Sequence, residues 1–424
     1  MNNKQNDKIN QVTEETLVVG IDIGGSTHYA RAFDWRGIEL SKVHVFSNSR
    51  SGFESLLGWM QSIQKVKKKS NIIVGIEPTG HYWFDLGAYL ENEGILLVMV
   101  NPFAVKRSKE LDDNSQTKND RKDPKVIAKL VTEGRYSFPY VPKGVYADLR
   151  VISTNRMRII RELTQIKNRM ARWFSIYFPE YTEVFGSYEA VGSMLLLHKV
   201  CTPKAIIELG IDGINQIWRD AKLRAVGIKR AMTLYKAAEE SIGLSEGTNA
   251  AEYEMRLILE DYDYKKEQYD DIMEQMESTC KKVPGSEQML AIKGIGLITV
   301  AGFLAEIGDI GRFESPKQIQ KLAGLSLREN SSGKHKGQTT ISKRGRSRLR
   351  AILFNAMIPM IATNPEFKEL HRYYTTRKEN PLKKKQSVVA LSCKLIRIFY
   401  AILVKGVEYD GEKMLSDIHR NQAA

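Results

Sequence analysis

Apolar and polar positions in the first third of the chain follow two alternating patterns. "TLVVGIDI" (16–23) is a near-continuous apolar run of strand length, and such a run predicts a buried strand, here ending on Asp22. "HYARAFD" and "IELSKVHVF" follow as two further strands separated by turn residues. "GFESLLGWMQSIQKV" has helical spacing, "NIIVGIE" is a strand ending on Glu77, and a helix after Pro78 leads to the strand "ILLVMVN". A three-strand meander followed by strands separated by helices is the order of a ribonuclease-H-like α/β domain. Its strand-end acids lie where open α/β sheets place their sites.

From about Leu149 the period becomes helical. Ile152, Ile159, Ile166 and Trp173 recur every seven residues, with Leu163, Met170 and Tyr177 between and beyond them. Pro179 ends the run. A second long helix over roughly 250–281 carries Met255, Tyr262, Tyr269 and Met276 at the same spacing, with mostly acidic flanks. The two can pair as a coiled coil, within one chain or between chains. Residues 180–248 look helical without a role to assign. Near Pro284 a third unit begins. In "LAIKGIGLITVAGFLAEIGD", Gly294 and Gly296 sit between two short apolar helices, the mark of a helix-hairpin-helix whose following helix start can hold a phosphate. The expected architecture is therefore α/β plus all-α. An α/β domain spans residues 1–143, a helical dimerisation or RNA-binding region 144–282, and a helical C-terminal domain 283–424.

Charge sharpens this picture. The chain of 424 residues carries a formal net charge of +14 and a pI near 9.4, which attracts nucleic acid where the charge is clustered. Two clusters stand out. On the first long helix, Arg156, Arg158, Arg161, Lys167, Arg169 and Arg172 are opposed by Glu162 alone, an RNA-binding pattern. In "ENSSGKHKGQTTISKRGRSRLR", Lys334, Lys336, Lys343, Arg344, Arg346, Arg348 and Arg350 follow two serines with no acid among them. The three cysteines lie far apart and match neither zinc nor disulfide spacing, so a reducing cytosol is expected. The N-terminus lacks the apolar core of a secretory signal. The most apolar segment, "SVVALSCKLIRIFYAILVKG", holds Lys394 and Arg397 in its middle and reads as a buried helix, so no membrane is expected.

Four carboxylates form the candidate chemistry: Asp22 and Glu77 at strand ends, and Asp120 and Asp123 at i and i+3 in "KNDRKDPKVIAKLV". Oxygen donors in this number suit a hard divalent cation, Mg²⁺ or Mn²⁺, and paired ions can clamp both oxygens of a phosphoryl displacement. Two helix-start acids favoured by the macrodipole are the plainer reading of the last pair. "GIDIGGSTHYARAFD" also resembles the first phosphate loop of sugar kinases and actin-like ATPases. A kinase, however, needs a second α/β half, and the chain turns helical after residue 150.

The stretches "GIDIGGSTH", "GIEPTGHYW", "VNPFAVK", "KNDRKDPKVIAKLV", "LTQIKNR", "IKGIGLITVAGFLAEIGDIGRF" and "LAGLSLRENSSGKHKGQTTISKRGRSRLR" resemble, in order, the insertion-sequence 110 type (DEDD) transposases, relatives of the Piv DNA invertases. The resemblance implies a RuvC-like domain binding Mg²⁺ through Asp22, Glu77, Asp120 and Asp123. Ser332 is implied as the nucleophile of a C-terminal transposase domain; Ser331 is the alternative, and the family position favours Ser332. Also implied are a structured guide (bridge) RNA that pairs with donor and target DNA, and assembly as a homodimer or homotetramer in which one subunit's acidic site completes another's serine site. Double-stranded DNA of the element ends and target is the expected partner, in a bacterial, nucleoid-associated setting. The family's common Thr is Asn119 here, and its loop Lys is replaced by Gly25 and Ser26; neither change removes a ligand. The alternative is a RuvC-like nuclease or junction resolvase that uses water and forms no covalent intermediate. A non-catalytic RNA-binding scaffold is a third reading.

Overall fold

The structure is a computed structural model that describes residues 3–420 apart from Thr79, residues 113–122, 329–330 and 333–334, and Gln338. The chain divides into two compact units, Met1–Val141 and Pro142–Ala424.

The first unit is built on a six-stranded sheet of order β3-β2-β1-β4-β5-β6. Its strands are β1 (Thr16–Asp22), β2 (Thr27–Phe33), β3 (His44–Ser47), β4 (Asn71–Ile76), β5 (Leu96–Val100) and β6 (Tyr136–Ser137). The helices are α1 (Asn3–Asn10), α2 (Arg50–Lys67), α3 (Phe84–Asn92), α4 (Pro102–Asp112) and α5 (Asp123–Thr132). β1, β4 and β5 are parallel, β2 and β3 add antiparallel to one side, and β6 adds antiparallel to the other. Both faces of β1 are covered, which is why it reads as a continuous apolar run. Leu17, Val19 and Ile21 pack with Phe53, Leu56 and Met60 of α2 and Leu86 and Leu90 of α3. Val18 packs on the other face with Val126, Ile127 and Val131 of α5.

Two register-paired glycines set the depth of α5. Gly20 of β1 pairs with Gly75 of β4. A Cβ on Gly20 would lie 1.9 Å from the Pro124 carbonyl oxygen, and one on Gly75 2.5 Å from Val131 Cγ2. The helix can lie against the sheet because neither position has a side chain. The expected third strand is shorter than its apolar pattern. From 38 to 43 only Glu39 bridges to Phe33, and pairing resumes at His44. β6, two residues long, gave no periodic signal.

In the second unit the described residues are helical, with short two-stranded pieces. α6 (Val145–Tyr177) and α11 (Thr248–Cys280) run antiparallel along each other within the chain. Arg156 meets Met273, Glu162 meets Lys265, and Arg169 meets Asp261. The heptad positions Ile152, Ile159, Leu163, Ile166, Met170 and Trp173 are buried, as are Met255, Tyr262 and Met276. At one end of this pair, α7 (Tyr181–Phe185), α8 (Val191–Leu197), α9 (Pro203–Asp220) and α10 (Ile228–Glu239) build a cluster around Tyr181 and Trp218. At the other end lie α12 (Ser286–Leu290), α13 (Leu297–Ile307), α14 (Pro316–Leu322), α15 (Ser347–Thr363), α16 (Pro365–Thr376), α17 (Lys384–Lys405) and α18 (Gly411–Arg420). By length and composition α17 could cross a membrane. Here Leu391, Leu395, Ile396, Phe399 and Ile402 are buried in that cluster, with Phe399 against Phe303.

Candidate functional site

β1 and β4 are adjacent and parallel, with Ile21 opposite Ile76. The next residue of each, Asp22 and Glu77, therefore emerges at the same sheet edge. Asp123 opens α5, the helix seated in the Gly20–Gly75 groove, so it is delivered to that edge, and the residue is 8% exposed. Lys109 of α4 forms an ion pair with Asp123 Oδ2. Burial pushes the Glu77 carboxyl above its ordinary range. Lys109 opposes that shift, and the nearby Asp123 charge adds to it. Asp120 lies outside the described residues. Among the described residues no three acids or other metal-ligating side chains stand close enough to form an ion site. The donors that do converge are carboxylates already holding an ammonium, which is the chemistry a hard cation fits.

The loop after Asp22 is internally determined. A Cβ on Gly24 would lie 2.3 Å from the Thr27 carbonyl oxygen, and the Gly24 N–H donates to His28 Nδ1 at 3.2 Å. Gly25 lies beside the Tyr82 ring. The glycine pair is thus packed against its own chain, which speaks against the phosphate-loop reading. No second α/β sheet exists among the described residues.

The serine loop lies in the second unit. β7 (Leu327–Arg328) pairs antiparallel with β10 (Thr340–Ile341). Between them β8 (Ser331–Ser332) pairs with β9 (His335–Lys336), with Ser332 opposite His335 and Ser331 opposite Lys336. Lys334 lies outside the described residues. Of the remaining basic residues, Lys343 and Arg344 are exposed, Lys343 with φ +53°. Arg346, Arg348 and Arg350 turn inward. Arg346 Nη1 donates to the Glu306 carbonyl oxygen at 2.5 Å, and Arg350 Nη1 to that of Ala323 at 2.9 Å. Arg348 Nη2 donates to Ser153 Oγ at 2.8 Å.

Glu306, 5% exposed, receives three arginines: Arg150 at 3.1 Å, Arg346 at 3.3 Å and Arg348 at 3.5 Å. Burial lowers the Arg348 guanidinium below its ordinary range; Glu306 opposes that, while Arg150, Arg161 and Arg156 add to it. One signal could have found this acid: Glu306 is a lone charge inside a helix whose neighbours are all buried. On α6, Arg158, Arg161 and Arg172 are exposed, whereas Lys167 pairs with Glu189 at 2.6 Å and Arg169 with Asp261 at 2.8 Å. Gly294 has φ +90° and packs against Met360 and Thr363. Gly296 caps α13 with open space beside it.

A DEDD-type IS110 transposase model matches residues 19–179, and the model of the transposase IS116/IS110/IS902 family matches residues 286–372. The chain is 22% identical to the 44.8-kDa protein of insertion element IS116 from Streptomyces clavuligerus, over 92% of this chain and 95% of that one. It is 32% identical to the pilin gene-inverting protein of Moraxella bovis over 29% of this chain and 38% of that one. It is 27% identical to the transposase of element IS1111A from Coxiella burnetii, over 33% and 38% respectively. The two models take in, between them, the strand-end acids, the helix-start acid and the serine ribbon, and the chain belongs to the IS116/IS110/IS902 family of transposases.

Proposed function

We propose that this transposase cuts and rejoins DNA strands at sites chosen by a structured guide RNA, through a covalent phosphoserine link. The observation that carries the reading is the topology of one sheet edge: Asp22 and Glu77 lie at the ends of neighbouring parallel strands, and Asp123 opens a helix seated in a glycine groove against the same strands. In this reading the sheet is a RuvC-like ribonuclease-H fold, and Asp22, Glu77, Asp120 and Asp123 hold Mg²⁺ or Mn²⁺. A bound divalent ion supplies charge neutralisation for phosphoryl displacement. The α6–α11 pair is the coiled-coil element for dimer or tetramer assembly and RNA contact. The glycine turn before α13 is a helix-hairpin-helix.

Ser332 attacks a DNA phosphate. A bond forms from its oxygen to phosphorus, one phosphodiester P–O bond breaks, and the serine proton ends on the released strand hydroxyl. Reversal onto a different strand's hydroxyl completes exchange with no external energy source. Lys343 and Arg344 are exposed and meet backbone phosphate in this reading, as phosphate contacts position a duplex without reading its sequence. The inward-turned Arg346, Arg348 and Arg350 shape the loop that presents the serine.

The test is a strand-exchange reaction with matched donor, target and guide. Protein–DNA adducts form with the wild type and disappear in Ser332→Ala, while Asp123→Asn loses divalent-dependent cleavage. Adducts that persist in Ser332→Ala remove Ser332 from the mechanism. Free cleaved ends without any adduct assign the attack to water.

A further inference from the structure

The segment "GHYW" after Glu77 has no part in the chemistry above, yet it borders the carboxylates. Gly80 has φ +55°, and Tyr82, two residues on, lies beside Gly25 of the loop after β1. A Cβ on Gly25 would lie 3.6 Å from Tyr82 Cε1, and one on Gly80 3.9 Å from Tyr82 Cδ2. The ring thus rests on two glycine backbones, and His81 packs against it with centroids 4.4 Å apart. Tyr82 is nevertheless 39% exposed. Two further exposed aromatics follow the same ends of β4 and β5: Phe84, which opens α3, and Phe103 in the first turn of α4. The Arg107 guanidinium lies 5.3 Å from the Phe103 ring centroid.

A ring held in place with one face exposed offers that face to a stacking partner. The partner here has to tolerate carboxylates next to the rings and an arginine on one of them. A nucleotide with an unstacked base meets both conditions. Its base presents a π-face to the ring, and its phosphate reaches Arg107 rather than the acids. A base inside a duplex has both faces occupied and cannot stack on Tyr82.

We propose that Tyr82, backed by His81, is a stacking platform for an unpaired base of the DNA strand entering the acidic site, so that this site takes a locally opened duplex. The inference rests on the reading of the site as a DNA-processing centre and adds the state of the strand it accepts.

The experiment uses the full chain in EDTA, with a thymidine 12-mer carrying one 2-aminopurine, its duplex, and the uridine counterpart. Wild type quenches the fluorophore in the single-stranded DNA. Tyr82→Ala weakens that binding about tenfold and abolishes the quench, Tyr82→Leu behaves like Ala, and Tyr82→Phe retains both. Circular dichroism of all three variants matches the wild type. Unchanged affinity and quench in both Tyr82→Ala and Tyr82→Leu overturn the platform, as does equal Tyr82-dependence on the intact duplex. Tyr82-dependent binding confined to the uridine oligomer reassigns the platform to RNA and overturns the DNA assignment. Asp123→Asn retains the quench while losing cleavage. The platform can therefore fail with the DNA-processing reading intact, and cleavage can fail with the platform intact.

Discussion

At the residue scale, the loop that follows Asp22 depends on a buried histidine. His28 is fully buried beside Phe46 and Phe53, and its Nδ1 accepts the Gly24 N–H. The proton of the neutral ring then sits on Nε2, which faces the neighbouring Asn48 side chain without a hydrogen bond of full geometry. Burial lowers the His28 pKa below its ordinary 6.5, and the neighbouring Asn48 side chain opposes part of that shift. The unfolded chain therefore takes up a proton near pH 6.5 that the folded chain refuses. Stability from neutral His28 is complete above that pH and is lost progressively as pH falls below it. Urea denaturation of wild type and His28→Gln at pH 7.5 and 5.5 checks this: the wild type's advantage narrows at the lower pH. An advantage of constant size would show that His28 does not titrate on unfolding.

At the element scale, the ion cluster around Glu306 fixes how three helices meet. Arg150 comes from α6, Glu306 from α13, and Arg346 and Arg348 from the start of α15. Arg348 also reaches Ser153 and Thr154 of α6. One carboxylate facing three guanidinium groups leaves the cluster net positive, so its removal strands three half-buried cations. Glu306→Ala is expected to destabilise the second unit by about 3–5 kcal/mol, the cost of breaking a buried ion pair from one side, read as a lower midpoint in denaturant. Glu306→Gln, which keeps a hydrogen-bond acceptor, loses less. A loss within experimental error for Glu306→Ala would mean that apolar packing alone joins these helices.

At the scale of the whole molecule, the chain is two units with separate cores. The sheet unit buries residues on both faces of β1, while the second unit holds two clusters connected along α6 and α11. Leu149, Ile152, Met276 and Cys280 belong to one of these clusters, and Ile159 to Trp173 and Ala251 to Tyr262 to the other. The helical insert and the C-terminal helices therefore share two continuous helices as a common spine. A unit with its own core can in principle fold and melt on its own. Calorimetry is expected to resolve two transitions, with His28→Gln moving only one and Glu306→Ala only the other. A single transition moved by both substitutions would show the units to be one cooperative body.

Local sequence determined the elements. The buried run of β1, the seven-residue spacing of α6 and α11 and the glycine turn before α13 follow from side-chain periodicity and backbone freedom, which neighbouring residues encode. It also marked Asp22, Glu77 and Asp123, because charges at the ends of apolar strands and at the start of a helix stand out without a structure. Tertiary structure alone decided which cations are drawn into the fold. Arg346, Arg348 and Arg350 look identical to Lys343 and Arg344 in a basic run, yet packing turns the first three inward, onto carbonyls, a serine and a carboxylate far away in sequence. It also placed Lys109 on Asp123 and Tyr82 on Gly25, across gaps of 14 and 57 residues. Periodicity reports which face of an element is buried; only the folded chain selects the partner that buries it.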